Sequence, residues 1–121
     1  MARILIVDDS ALSRRILRRI LEPAGYQVVE ADEGMVAIEK YFMEKPDLVL
    51  LDLTMIGMNG LETLAKLRQM DPAARVVIAT ADIQSSTREM AAEGGACGFI
   101  NKPFDEPLVL DAVRKAIEPA P

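Results

Sequence analysis

Five residues carry types and spacing suited to chemistry: the adjacent carboxylates Asp8 and Asp9, a third carboxylate at Asp52, the Thr80 hydroxyl and the Lys102 ammonium. The chain has no histidine. That excludes a Ser-His-Asp or Cys-His nucleophile system, a histidine general base, a histidine-ligated metal and a phosphohistidine carrier. A carboxylate can act as a nucleophile and form an aspartyl-phosphate. Three carboxylates brought together repel one another and call for a cation. Hard oxygen ligands without His or Cys favour Mg²⁺ over zinc, and Mg²⁺ is commonly held by one or two carboxylates plus a phosphate. A lysine binds phosphoryl oxygens as a point charge, and a hydroxyl can donate to them. The set therefore reads as phosphoryl transfer onto an aspartate, driven by positioning and electrostatics.

That chemistry requires the five residues to meet, so the elements that carry them matter. Ile4-Leu5-Ile6-Val7, Leu48-Val49-Leu50-Leu51 and Val76-Val77-Ile78-Ala79 are short apolar runs, the pattern of strands buried on both faces. Gln27 to Ala31 and Gly98-Phe99-Ile100 read as two further strands. Between them lie helical patterns. The first has Leu12, Ile16, Leu17, Ile20 and Leu21 on one face, with Ser10 as cap and Pro23 and Gly25 as terminators. The second is expected from Asp32 to about Lys45, the third from Gly60 to Met70 with Leu61, Leu64, Ala65 and Leu67 inward. The fourth is expected from about Ile83 to Glu93, and the fifth from about Asp105 through Leu108, Leu110, Val113 and Ile117. Five βα repeats predict an α/β fold with a parallel sheet covered by helices on both faces.

In such sheets, ligands bind beyond the carboxyl ends of the strands. Asp8 and Asp9 follow the first run, Asp52 the third, Thr80 the fourth and Lys102 the fifth. Whole βα units separate these positions, so the five residues are expected on one edge of the sheet.

Composition sets the outer bounds. The 121 residues are 50% hydrophobic and suffice for one domain with a real core. Fourteen Lys and Arg against 19 Asp and Glu give a net charge of −5, a poor footprint for nucleic acid. One cysteine, Cys97, cannot form an internal disulfide; its bland role is a small buried or half-buried hydrophobe. No apolar run is long enough to span a membrane, and the N-terminus lacks a signal-peptide pattern. A cytoplasmic protein that binds neither membrane nor nucleic acid directly is expected.

Ile6-Val7-Asp8-Asp9-Ser10, Leu51-Asp52-Leu53, Ala79-Thr80-Ala81 and Phe99-Ile100-Asn101-Lys102-Pro103-Phe104 are specific in their order and spacing. On these pieces the chain resembles the receiver domains of two-component response regulators, of the single-domain chemotaxis-regulator kind. The resemblance runs from about Ala2 to Ile117. It implies a (βα)5 flavodoxin-like three-layer sandwich with strand order 2-1-3-4-5, residues 1–118 forming the domain and 119–121 a tail or the start of a linker. It implies that Asp52 accepts a phosphoryl group from a phosphohistidine on a sensor histidine kinase or histidine phosphotransfer protein. Asp9 would ligate Mg²⁺ directly, Asp8 through water, and the Thr54 backbone carbonyl would complete the protein ligands. Thr80 would swing toward the phosphoryl group with the Ala81 amide assisting, Lys102 would pair with it, and the Lys102–Pro103 bond would be cis. Phe99 matches the family's switch aromatic, reporting phosphorylation on the surface of the fourth helix, fifth strand and fifth helix. A separate output protein would read that surface, the chain being a monomer or a phosphorylation-linked dimer. Only intrinsic autophosphorylation and autodephosphorylation are expected, not enzyme turnover.

Several features stay open at this level. Arg14, Arg15, Arg18 and Arg19 lie opposite the first helix's apolar stripe; they form either a solvated basic face or a docking surface for an acidic phosphodonor domain. Thr54 and Asp82, two beyond Asp52 and Thr80, are placed to tune phosphate lifetime. Ser85, Ser86 and Thr87 are weak helix formers, so the fourth helix is expected to be mobile. Many receivers have Met-Pro after the acceptor, where this chain has Met55-Ile56. Three other functions compete. A haloacid-dehalogenase-like phosphatase would need a second Asp where Thr54 stands. A flavin module would need a phosphate loop where Asp8 and Asp9 stand. A degenerate receiver would lack part of the five-residue set.

Overall fold

The computed structural model describes residues 2–55, 57–82 and 84–118. Its elements alternate as β1 (Arg3–Val7), α1 (Ala11–Leu21), β2 (Gln27–Ala31), α2 (Gly34–Glu44), β3 (Leu48–Leu51), α3 (Gly60–Met70), β4 (Val76–Thr80), α4 (Ser85–Glu93), β5 (Gly98–Asn101) and α5 (Glu106–Ile117). The strands form one parallel sheet in the order β2-β1-β3-β4-β5. No helix among the described residues is long and apolar enough to cross a membrane.

The continuous apolar runs reflect burial on both faces of the sheet. Alternate residues Leu5, Val7, Val49, Leu51, Val76 and Ile78 join the core under α2, α3 and α4. Their neighbours Ile4, Ile6, Leu48, Leu50, Val77 and Ala79 join the core with α1 and α5. Because side chains alternate along a strand, the apolar residues of these central strands meet a helix layer on one face or the other.

Helix boundaries and phases depart from the expected ones at several points. The second helix starts at Gly34 rather than Asp32, after Glu33 makes no side-chain cap, because β2 keeps its extended course to Ala31. It stops at Glu44, and Lys45 adopts a left-handed conformation (φ 49°) before Pro46, which disfavours helix in the residue preceding it. The fourth helix begins at Ser85; the expected start at Ile83 lies outside the described residues.

On α1 only Leu17, Ile20 and Leu21 are buried, whereas Leu12 is 63% and Ile16 37% exposed. The first turns of α1 lie at the carboxyl edge of the sheet, where no strand continues beneath them. On α3 the inward position is Thr63, not Ala65, and Leu61 is only partly buried. Thr63 tolerates burial because its Oγ1 donates to the Asn59 carbonyl at 3.0 Å. On α5 Val109 and Val113 are buried and Leu108 is exposed. Cys97 is exposed, not half-buried, at the turn before β5.

Candidate functional site

The site is built by strand register. Val7 pairs with Leu51, Leu51 with Ile78, and Ile78 with Phe99; β1 and β3 stop at that level while β4 and β5 run two residues further, to Thr80 and Asn101, so all four finish at the same edge of the sheet. The next residues along β1 and β3 are Asp8 and Asp52, Thr80 ends β4, and Lys102 follows β5. One carboxylate oxygen from each of Asp8, Asp9 and Asp52 lies within 4.8 Å of the others. Lys102 Nζ is 2.8 Å from Asp8 Oδ2 and 3.2 Å from Asp52 Oδ2. Asp8, Asp52 and Thr80 are buried, and Asp9 is exposed at the mouth.

Backbone amides fix the two buried carboxylates. Ser10 N–H donates to Asp8 Oδ1 at 2.8 Å, and Thr54 N–H donates to Asp52 Oδ1 at 3.2 Å. Both are side-chain turns that favour Asp where the chain leaves a strand. Thr80 Oγ1 accepts from the Asp82 amide at 3.2 Å, which uses a lone pair and leaves the hydroxyl its proton to donate. Ala81 follows, exposed. Thr54 is exposed two residues beyond Asp52. The Lys102–Pro103 peptide is cis.

Burial raises the Asp8 carboxyl above its ordinary range; the hydrogen bonds from Lys102 and Ser10 pull the other way without cancelling it, and the Asp52 charge adds to the rise. Burial alone would depress the Lys102 ammonium, but its hydrogen bond to Asp8 and the charges of Asp52 and Asp8 outweigh that. Lys102 is therefore held above its ordinary value and is a fixed cation at neutral pH. The donor set fits a hard divalent ion: three carboxylates converge, no soft ligand is among them, and a lysine ammonium pairs with two of them.

The four arginines of α1 divide into two pairs. Arg14 Nε and Arg18 Nη2 lie 2.9 Å and 2.7 Å from the two carboxylate oxygens of Glu30 on β2. Arg14 Nη1 also donates to the Asp8 carbonyl at 2.7 Å. Arg15 and Arg19 are exposed. Phe99 is partly buried on β5, with the Arg88 guanidinium carbon 4.8 Å from its ring centroid.

Two supporting interactions escaped the sequence reading. The Arg14–Glu30 pair joins residues from different elements and has no local signature. Gly60 packs so closely on the Asp52–Leu53 backbone that a Cβ there would overlap the Asp52 carbonyl oxygen and the Leu53 Cα. Its amide donates to the Leu53 carbonyl at 3.1 Å, and Asn59 caps the helix by accepting from Glu62 N–H at 2.9 Å. The signal for Gly60 was a glycine at the first helical position, directly after a capping Asn.

A parallel five-stranded sheet with an acidic cluster and a lysine at its carboxyl edge is an arrangement suited to accepting a phosphoryl group on a carboxylate. The response regulator receiver domain model matches residues 4–114. The chain therefore belongs to the response regulator receiver domains, the phosphoacceptor modules of two-component signal transduction. It is 43% identical over 116 residues to the chemotaxis protein CheY of Bacillus subtilis, covering 95% of this chain and 97% of that protein. It is 39% identical to the sporulation initiation phosphotransferase F of the same organism, covering 93% of this chain and 91% of that protein. Among solved structures, it superimposes on a chain of the CheX–CheY–BeF₃–Mg complex from Borrelia burgdorferi with TM-score 0.93 and 31% identity, covering 98% of this chain and 90% of that chain.

Proposed function

We propose that Asp52 is the phosphoacceptor and that Asp8, Asp9, Asp52 and the Thr54 backbone carbonyl hold the Mg²⁺ it needs. The observation that carries this reading is the convergence of three carboxylate oxygens within 4.8 Å, with Lys102 Nζ between Asp8 and Asp52. The bound ion would supply positive charge that lets an anionic carboxylate meet an anionic phosphoryl group.

An Asp52 carboxylate oxygen attacks the phosphorus of a phosphohistidine on a sensor histidine kinase or histidine phosphotransfer protein. The P–N bond breaks, its electron pair stays on the imidazole, and a P–O bond forms on Asp52. Lys102 transfers its hydrogen bond from Asp52 to a phosphoryl oxygen. The Thr80 hydroxyl and the Ala81 amide donate to the phosphoryl group as well. Movement of Thr80 frees space into which Phe99 turns, altering the face of α4, β5 and α5 that a separate output protein reads. Hydrolysis of the aspartyl-phosphate is intrinsic, with Thr54 and Asp82 at its rim setting the lifetime. Arg15 and Arg19 are exposed for docking of the phosphodonor, whereas Arg14 and Arg18 are engaged with Glu30. The chain would act in the cytoplasm.

Incubation with acetyl phosphate and Mg²⁺, followed by intact mass, tests the reading. Wild type should gain one phosphoryl group only when Mg²⁺ is present, and Asp52→Asn should gain none. An equal gain in Asp52→Asn would refute it.

A further inference from the structure

We infer that Arg14 is a positioning residue for the metal-binding loop: its guanidinium holds the Asp8 carbonyl, and with it the peptide carrying Asp9, in the orientation that lets Asp9 share a divalent cation with Asp8 and Asp52. This rests on the Mg²⁺ reading above and adds a residue to it that makes no direct contact with the ion.

Asp8 is gripped on both sides of its Cα. Its N–H donates to the Ala31 carbonyl at 3.1 Å, and its carbonyl accepts from Arg14 Nη1 at 2.7 Å. The six atoms of a peptide unit are coplanar, so holding the Asp8 oxygen also sets the direction of the Asp9 N–Cα bond. Asp8's own carboxylate is fixed separately by Ser10 and Lys102. Arg14 is aimed in turn by Glu30, which accepts its Nε at 2.9 Å and the Arg18 Nε at 2.8 Å. A guanidinium suits this task because its planar fork serves two acceptors in fixed directions. The helix does not need the pair as an anchor, since Leu17, Ile20 and Leu21 already bury α1.

Charge and positioning predict opposite signs. Removing a cation beside a cation site should tighten Mg²⁺ binding by Coulomb's law alone. Releasing the Asp8–Asp9 peptide should weaken it, because outer residues that orient ligands typically contribute about 10–100-fold to metal affinity. A weakening on charge removal can therefore be assigned to lost orientation.

The experiment is calorimetric titration of MgCl₂ into the full chain, for wild type, Arg14→Met and Arg14→Lys, at high ionic strength to screen the charge change. Arg14→Met should bind Mg²⁺ about 10-fold more weakly. Arg14→Lys, which keeps the charge but loses the fork, should fall between. The acetyl phosphate rate of Arg14→Met should need more Mg²⁺ to saturate yet approach the wild-type plateau, a split that general loss of structure would not produce. Affinity equal to or tighter than wild type in Arg14→Met would overturn the inference while leaving the Mg²⁺ reading intact. Should Arg14→Met fail to unfold cooperatively, Glu30→Met, which keeps the guanidinium but removes both acceptor oxygens that aim it, is titrated instead, and unchanged affinity there overturns it. Absence of Mg²⁺ binding by wild type would overturn the site reading, and this inference with it.

Discussion

The Lys102 ammonium lies nearer to Asp8 than to Asp52, 2.8 Å against 3.2 Å. Without a metal, this lysine is the cation that keeps two buried carboxylates apart. It therefore has a structural duty before phosphorylation, in addition to its proposed contact with the phosphoryl group.

Lys102→Met leaves Asp8 and Asp52 facing each other without that cation. It should lose about 1–3 kcal/mol of stability in chelator. Added Mg²⁺ should restore more stability to the mutant than to wild type, because the ion replaces the missing charge. Urea unfolding with and without Mg²⁺ measures both quantities. Equal Mg²⁺ increments in the two proteins would contradict the role assigned to Lys102.

Asp8 works in the opposite sense. Its folded pKa lies above its unfolded value, because burial disfavours the charged form more than Lys102 favours it. Between those two values the folded state binds more protons than the unfolded one, so stability falls as pH rises through that window. Above that window Asp8 therefore costs the metal-free fold stability. Asp8→Asn should raise the metal-free Tm at pH 7 and lose most of the Mg²⁺-induced rise. The difference from wild type should shrink as the pH falls through the Asp8 folded value. A metal-free Tm below wild type at pH 7 would contradict this sign.

Gly60 connects the acceptor loop to α3 through close backbone contact rather than a side chain. Gly60→Ala forces a methyl group into the Asp52 carbonyl and Leu53 Cα. The expected cost is about 1–3 kcal/mol, with displacement of Asp52. Phosphorylation by acetyl phosphate should slow even at saturating Mg²⁺, in contrast to the Arg14 variants. A wild-type rate in Gly60→Ala would show that the loop can shift without moving the acceptor.

Arg88 stacks on Phe99 from a helix with few anchors. Ala91 is the buried residue on α4, and Gln84 at its N-terminus makes no side-chain cap. Amide exchange in α4 should thus be faster than in α1 or α5. The cation–π contact contributes about 0.5–1 kcal/mol to one orientation of the ring. Arg88→Ala should broaden or shift the Phe99 ring resonances in the unphosphorylated protein, as the second rotamer gains population. Unaltered Phe99 resonances would mean that the ring is held by its strand neighbours alone.

The sequence by itself determined the alternation of strands and helices, the both-sided burial of the central runs, and the placement of Asp8, Asp9, Asp52, Thr80 and Lys102 at strand ends. Those properties are local: hydrophobic period and residue type report them directly, and parallel register then carries strand ends to one edge. Periodicity was weaker on helix phase, since Leu12, Ala65 and Leu108 satisfy an apolar pattern yet face outward. Which side of a helix is buried depends on how the helix is seated on the sheet: Leu64 and Val109, one residue from Ala65 and Leu108, are the ones turned to the core. Tertiary structure alone decided that Arg14 turns from the basic face to Glu30 and the Asp8 carbonyl, that Lys102 favours Asp8, and that Gly60 must lack a side chain. Each of these depends on a distance between segments far apart in the chain, and such distances are set by packing rather than by residue type or spacing.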